Sequence, residues 1–401
     1  MQPQAEEAAT RWPNVSPAMA LVLSSAMLVQ GTVLLARVAA SYRAIELGLS
    51  AEWLGLLSTA FAVLPVLLAL TTGRLVDRRG ERPAFLCGSA LLIASTVVLW
   101  LASATLSGLL VGLVLLGQGG LFLMVGQQSL VSRLGPPERR DTAFGHYTIA
   151  VSFGQAVGPL VLKALAGGAV VPETTRVFAA AVILALLTAL VSLLIRPPPS
   201  GAAEATAHKR PVGLLSLLRI PGVTISILAG LMVLTAVELL VVYLPAFGAE
   251  RGIDAGTIGA LLSLRAVASL LSRVWLGRLV ALAGRRLLLV LSIGAAAAGL
   301  VLLPVPMPVA GMAALVVVVG LGLGLCLPLT MAWLADVTPA GARATALSVR
   351  LSGNRLGQAV LPLGLGSLAA GVGAAGVLVG MAMALTITGV LTARATQSKK
   401  E

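Results

Sequence analysis

A chain of 401 residues that is 58% hydrophobic, only 11% charged and of mean hydropathy +1.00 is not an ordinary water-soluble domain, in which about a quarter of the residues carry charge. Its formal charge of +13 does not mark a nucleic-acid binder, because the basic residues stand scattered in loops without the aromatic platforms that base stacking needs. Two histidines, and two cysteines (Cys87 and Cys326) set inside apolar runs, imply neither a metal centre nor a disulfide framework, and no cofactor is expected.

Taken in chain order, apolar segments between charged or Pro/Gly-rich breaks are predicted at 17–42, 53–73, 83–102, 107–132, 143–168, 175–195, 222–248, 256–277, 286–303, 309–335, 343–368 and 372–393. Each has about the twenty residues that cross a bilayer. The first sixteen residues contain Glu6 and Glu7 and lack a basic stretch with a cleavage site, so the first segment is read as a retained span.

Twelve spans put both termini on one side, and the basic residues say which side that is. Arg11, Arg74, Arg78, Arg79, Arg82, Arg133, Arg139, Arg140, Arg196, Lys209, Arg210, Arg219, Arg278, Arg285, Arg286, Arg343, Arg394, Lys399 and Lys400 fall together. Only Arg43, Arg176 and Arg251 fall opposite. By the positive-inside rule the first side is cytoplasmic, and a multi-pass protein of the cell (inner) membrane is expected, in contact with lipid.

Between the second and third spans lies Gly73-Arg74-Leu75-Val76-Asp77-Arg78-Arg79-Gly80-Glu81-Arg82-Pro83. Its spacing Gly-x-Leu-x-Asp-Arg-x-Gly-x-Arg closely resembles motif A of the major facilitator superfamily. The resemblance implies a cytoplasmic gate made by Gly73, Asp77, Arg78, Gly80 and Arg82, whose charged members latch the two halves of the protein together. In the fifth span, Gly145, Gly154, Gly158 and Pro159 resemble motif C, which in that superfamily marks antiporters, chiefly drug–proton exporters. Glycines at these intervals admit a neighbouring helix, and Pro159 removes a backbone donor, so the four are read as a hinge. Two departures stand beside the resemblance. Leu162 and Lys163 occupy the usual terminal Gly-Gly, and Leu115 stands three residues before Gln118-Gly119, where proton-coupled members carry an arginine.

The chain repeats itself. Gly154-Gln-Ala-Val-Gly-Pro-Leu160 matches Gly357-Gln-Ala-Val-Leu-Pro-Leu363 at an offset of 203, and Gly73-Arg-Leu-Val76 matches Gly277-Arg-Leu-Val280 at 204. Ala281 replaces Asp77 in the second copy, while Gly284, Arg285 and Arg286 keep the basic turn. The expected architecture is an all-α membrane protein of twelve transmembrane helices in two pseudo-symmetric six-helix bundles, as in the major facilitator fold. The bundles are placed at 1–195 and 221–401, joined by a cytoplasmic linker at 196–220. Within the linker, 213–219 either lies on the membrane surface or begins the seventh helix.

Charge inside a span costs roughly 2.5–3.5 kcal/mol on insertion scales and points to function. The basic residues so placed are Arg37, Lys163, Arg265, Arg273, Arg350 and Arg355, and the one deep acid is Glu238. Depth along antiparallel neighbours predicts a Glu238–Arg265 pair, the candidate for proton coupling. Arg37, Lys163, Arg265, Arg350 and Asn354 are the substrate-cavity candidates, with Arg350 and Asn354 on one helical face. Arg355 is directed about 100° away from Asn354. Arg37 and Arg273 also lie near enough to helix ends to snorkel.

These residues predict a secondary transporter using alternating access, with proton-coupled export of a small amphipathic compound or metabolite. The alternative is uptake or facilitated transport of an organic anion without proton antiport. The expected partners are a small-molecule substrate, protons and lipid, with no nucleic acid, and the protein is expected to act as a monomer. No phosphate-binding Gly-Lys-Ser/Thr loop and no Ser/His/Asp cluster supports an enzyme or direct ATP drive.

Overall fold

The computed structural model describes residues 16–134, 140–197, 218–220, 222–338 and 343–397. The first half holds α1 Pro17–Glu46, α2 Ala51–Arg79, α3 Glu81–Ala102, α4 Leu106–Leu134, α5 Arg140–Leu165 and α6 Thr174–Leu194. The second holds α7 Val223–Glu250, α8 Ala255–Val274, α9 Leu276–Leu302 and α10 Val309–Val337. The last helical stretch, Arg343–Gln397, breaks at Gly373 into α11 (343–372) and α12 (374–397). Among the described residues eleven helices are long and apolar enough to cross a membrane, and α11 adds a twelfth long helix. The predicted residues 1–15, most of the linker and the amphipathic stretch as far as residue 217 lie outside the described residues.

Local chemistry sets the ends. Ser16 caps α1 by accepting from the Met19 N–H at 3.3 Å, with Pro17 at the first helical position, where its missing N–H costs nothing. Asp254 caps α8 in the same way, accepting from the Thr257 N–H at 2.8 Å. The turns of the two halves repeat in backbone conformation. Gly48 and Gly252 have φ 69° and 68°, and Gly80 and Gly284 have φ 77° and 75°, values that a Cβ disfavours. The second pair corrects a predicted boundary. Past Trp275 the helical path resumes to residue 283 and turns only at Gly284, as α2 runs to Arg79 before Gly80.

α6 and α12 present apolar side chains outward: Ile183, Leu186 and Leu190 on α6 and Met383 and Ile387 on α12 are exposed. A bilayer solvates such side chains as well as a protein core does. The halves meet where α2 faces α11 and α5 faces α8. A Cβ at Gly55 on α2 would lie 3.2 Å from the Gly366 Cα, and one at Gly259 on α8 would lie 2.5 Å from the Pro159 carbonyl oxygen. Thr59 donates to the Ala359 carbonyl at 2.7 Å, Ser263 to that of Ala156 at 2.7 Å, and the Ala255 N–H to that of Ala169 at 2.8 Å. All these contacts lie toward the arginine-poor end. Toward the arginine-rich end, the deepest described hydrogen bonds between halves are Arg273 to Ser152 at 3.4 Å and Arg355 to the Met124 sulfur at 3.8 Å. Among the described residues the halves therefore meet at the arginine-poor end, and no hydrogen bond joins them beyond these two toward the arginine-rich end.

Candidate functional site

Midway along the helices, five side chains from four of them form one polar network. Glu238 on α7 forms an ion pair with Arg37 on α1. Arg37 is 5% exposed, Glu238 18%, and the guanidinium lies 4.4 Å from the centre of the Phe61 ring on α2. The other Glu238 oxygen accepts from the Gln358 amide on α11 at 3.3 Å. The Gln358 oxygen accepts in turn from Arg355 at 3.3 Å, and Arg355 also reaches Met124 on α4. Because α1 and α4 belong to one half and α7 and α11 to the other, the network crosses the interface between them.

Glu238 thus pairs with Arg37 and not with Arg265 as depth predicted. Depth fixes a residue's level along a helix, whereas its direction around the axis selects the neighbour, and the carboxylate of Glu238 points to α1 and α11. Arg265 remains within Coulombic range of Glu238, as does Arg355. It is 2% exposed, and among the described residues it makes no hydrogen bond or ion pair. Arg355, predicted to be directed away from Asn354, joins the network through Gln358. Gln358 carried a signal that went unread, for it is the Gln of the repeated Gly-Gln-Ala-Val and stands four residues beyond Asn354.

Arg350 and Asn354 do share the buried side of α11. Arg350 donates to the Thr330 hydroxyl at 2.8 Å and the Leu327 carbonyl at 3.3 Å, in a slot left by Gly230, where a Cβ would lie 2.8 Å from the Arg350 Nε. Among the described residues the buried Asn354 Oδ1 has no partner. Arg273 is half-buried, and its Nε donates to the Gly324 carbonyl at 3.3 Å. Lys163 lies elsewhere than predicted. It is exposed at the arginine-poor end, lining with Asp254, Thr257 and Val309 a cavity of about 400 Å³ between α5, α8 and α10. There Asp254 sits below the usual carboxylate range, held first by the Thr257 hydroxyl and then by backbone N–H groups.

In the charged turn, Gly80 closes α2 by donating to the Val76 carbonyl at 2.8 Å. Asp77, Arg78 and Arg82 are exposed, and Gly73 faces open space. Among the described residues, Asp77 makes no ion pair. The buried member is Glu81, which accepts from Arg133 at 2.7 and 2.8 Å and from Ser129 at 2.9 Å. Of the four hinge residues, Gly154 and Gly158 seat α5 against α1. A Cβ at Gly158 would lie 2.6 Å from the Gly31 oxygen, and one at Gly154 3.0 Å from the Gln30 Cβ. Pro159 faces Gly259 across the halves, whereas Gly145 is exposed and, among the described residues, has nothing within packing distance.

A family profile described as the Major Facilitator Superfamily matches residues 19–254 and 226–401. Over 162 residues the chain is 28% identical to Multidrug resistance protein 1 of Bacillus subtilis (strain 168), a match that spans 40% of each chain. Among solved structures, the nucleoside transporter NupG superposes with a TM-score of 0.76 at 12% identity, covering 94% of this chain and 99% of that one. A POT family transporter in complex with a thioalcohol-conjugated peptide gives 0.74 at 17% identity, covering 93% and 94%. A bacterial homolog of the human lysosomal transporter Spinster, inward-facing and unoccupied, gives 0.72 at 17%, covering 95% and 96%. At these identities the structures speak for the fold, while the profile, which spans both halves of the repeat, speaks for ancestry: the chain belongs to the Major Facilitator Superfamily of secondary transporters.

Proposed function

We propose that the protein exports a small amphipathic compound in exchange for protons, as a monomer in the cell (inner) membrane with both termini cytoplasmic. The arginine-rich end is then cytoplasmic by the positive-inside rule, and the conformation is inward-facing. The observation that carries the reading is the Arg37–Glu238 pair across the halves. Among the described residues Glu238 is the one carboxylate far from a helix end, which makes it the natural proton site.

A switch needs a partner that leaves when access alternates. Arg265 stands in the same half as Glu238, so rocking one half against the other keeps the two together. Arg37 stands in the opposite half, so the same motion pulls the pair apart. Parting the pair removes the cation that neutralises this carboxylate in one state and restores it in the other, which is the kind of two-state difference a coupled ion can exploit. The export direction is supported by the resemblance of α5 to motif C and by the partial match to a multidrug resistance protein. A second reading, passage without proton coupling, is supported by the leucine at 115.

The test is flux in proteoliposomes under an imposed pH gradient. Glu238→Gln is expected to abolish accumulation driven by the gradient while leaving exchange at equal pH intact. Accumulation by Glu238→Gln equal to that of the wild type would sink the proton reading and favour the uncoupled one.

A further inference from the structure

The described membrane-embedded part of the chain holds five guanidinium groups and, far from the helix ends, one carboxylate. They belong to Arg37, Arg265, Arg273, Arg350 and Arg355, and the carboxylate is that of Glu238. Four of the five have found acceptors. Arg37 has Glu238, Arg355 has the Gln358 amide oxygen, Arg350 has Thr330 and Leu327, and Arg273 has Gly324 and Ser152. Only the first of these acceptors carries charge. Neutral acceptors replace the water that a guanidinium loses on burial, yet they cancel none of its charge. Arg265 is the extreme case: 2% exposed, no described acceptor, and an Nε buried without a partner.

We infer that the transported compound is recognised through an anionic group, a carboxylate, phosphonate or sulfonate, and that Arg265 is its anchor. The inference rests on reading the central network as the transport site but not on proton coupling. The guanidinium presents its donors in a fixed fork that matches an oxyanion, and Arg265 is the fork not already engaged. The other arginines add an attractive field for an anion and repel a cation, so specificity comes from both signs of interaction. Glu238 lies within Coulombic range of the same guanidinium. A bound anion therefore meets a negative neighbour, which fixes the expected order of affinity: an anion binds more tightly when Glu238 is replaced by Gln.

The test is a thermal-shift titration of the purified full chain in detergent at one pH, with no gradient. The probes are four compounds on one phenyl scaffold: 4-phenylbutanoate, its primary amide, the corresponding amine, and phenylbutylphosphonate. The two acids are expected to stabilise the protein, while the amide and amine do so at least tenfold less well. Arg265→Gln is expected to weaken acid binding about ten- to hundredfold, the loss of a charge-assisted pair of hydrogen bonds, and Arg265→Lys to retain part of it. Glu238→Gln is expected to strengthen it. Monodispersity of each variant on size exclusion separates lost binding from lost fold, and if Arg265→Gln fails to fold, the lysine variant and Glu238→Gln carry the test. Equal stabilisation by amine and acid, no stabilisation by either acid, or unchanged affinity in the Arg265 variants overturns the anchor. PH-driven transport of a neutral or cationic compound alongside such a result would leave the proton reading standing, so the two failures are distinct.

Discussion

Glu46 and Glu250 stand 204 positions apart and close the same helix end in their respective halves. The Glu46 carboxylate accepts from the Thr174 N–H at 3.4 Å and its hydroxyl at 2.6 Å, at the start of α6. The Glu250 carboxylate accepts from the Ala374 N–H at 2.9 Å, at the start of α12. In each half the last residue of the first helix thus caps the sixth, satisfying N–H groups that have no intrahelical partner and meeting the positive end of the helix dipole.

That symmetry predicts matched losses. Glu46→Ala and Glu250→Ala should each lower stability by about 1 kcal/mol, the usual cost of a lost cap, and the double variant should lose about the sum because the sites are far apart. Thermal unfolding in detergent checks this. A double variant as stable as the wild type would show that the carboxylates only decorate the turns.

The charged turns predict an asymmetry. Glu81 and Arg133 occupy places that Arg285 and Asp336 fill in the second half, with the signs exchanged: the pairs close at 2.7 Å, but Glu81 is 2% exposed while Arg285 and Asp336 are 58% and 59% exposed. Arg133→Ala strands a buried carboxylate and should cost about 3 kcal/mol. Glu81→Ala removes the buried charge itself and leaves Arg133, 30% exposed, in contact with water, and should cost less. Disrupting the exposed second pair should cost under about 1 kcal/mol. Comparable melting temperatures for Arg133→Ala and Asp336→Ala would contradict the difference in burial.

Gly158→Leu should abolish transport, because even a Cβ there meets the Gly31 carbonyl at 2.6 Å and α5 cannot stay against α1. Gly145→Leu, at an exposed position with open space around it, should leave transport within about twofold of wild type. Leu361→Gly, at the place equivalent to Gly158, should also be mild. Flux measurements on the three variants decide this, and an inactive Gly145→Leu would restore that glycine to the hinge.

Asp77→Asn should slow transport without loss of folded protein. The residue is exposed, and in the proposed alternating-access cycle closure at this end would bring α2 toward the start of α11 and its dipole. An interaction of roughly 0.3–1 kcal/mol there shifts the closed population about two- to fivefold. Spin-label distances between the arginine-rich ends of α2 and α11 read that shift directly, and a distribution identical to the wild type's would remove Asp77 from the latch.

The sequence by itself determined the spans, the charge asymmetry and the two-fold repeat. Each of these is a property read along one dimension: apolar length against bilayer thickness, Lys and Arg per loop, identity at a fixed offset. It also placed Glu238 and the embedded arginines at mid-depth, because burying a charge is costly wherever the chain puts it. The partner of Glu238 was beyond that reading. Arg37 lies 201 positions away, and the choice between it and Arg265 depends on which way a side chain leaves α7 and which helix stands there. The same holds for Gln358, drawn into the network by a residue on another helix, for Gly145, left out of the seam that Gly154 and Gly158 form, and for Lys163, whose helix carries it to the arginine-poor end. Helix packing sets azimuth and end-to-end closure together, and neither is encoded in the hydropathy of any single span.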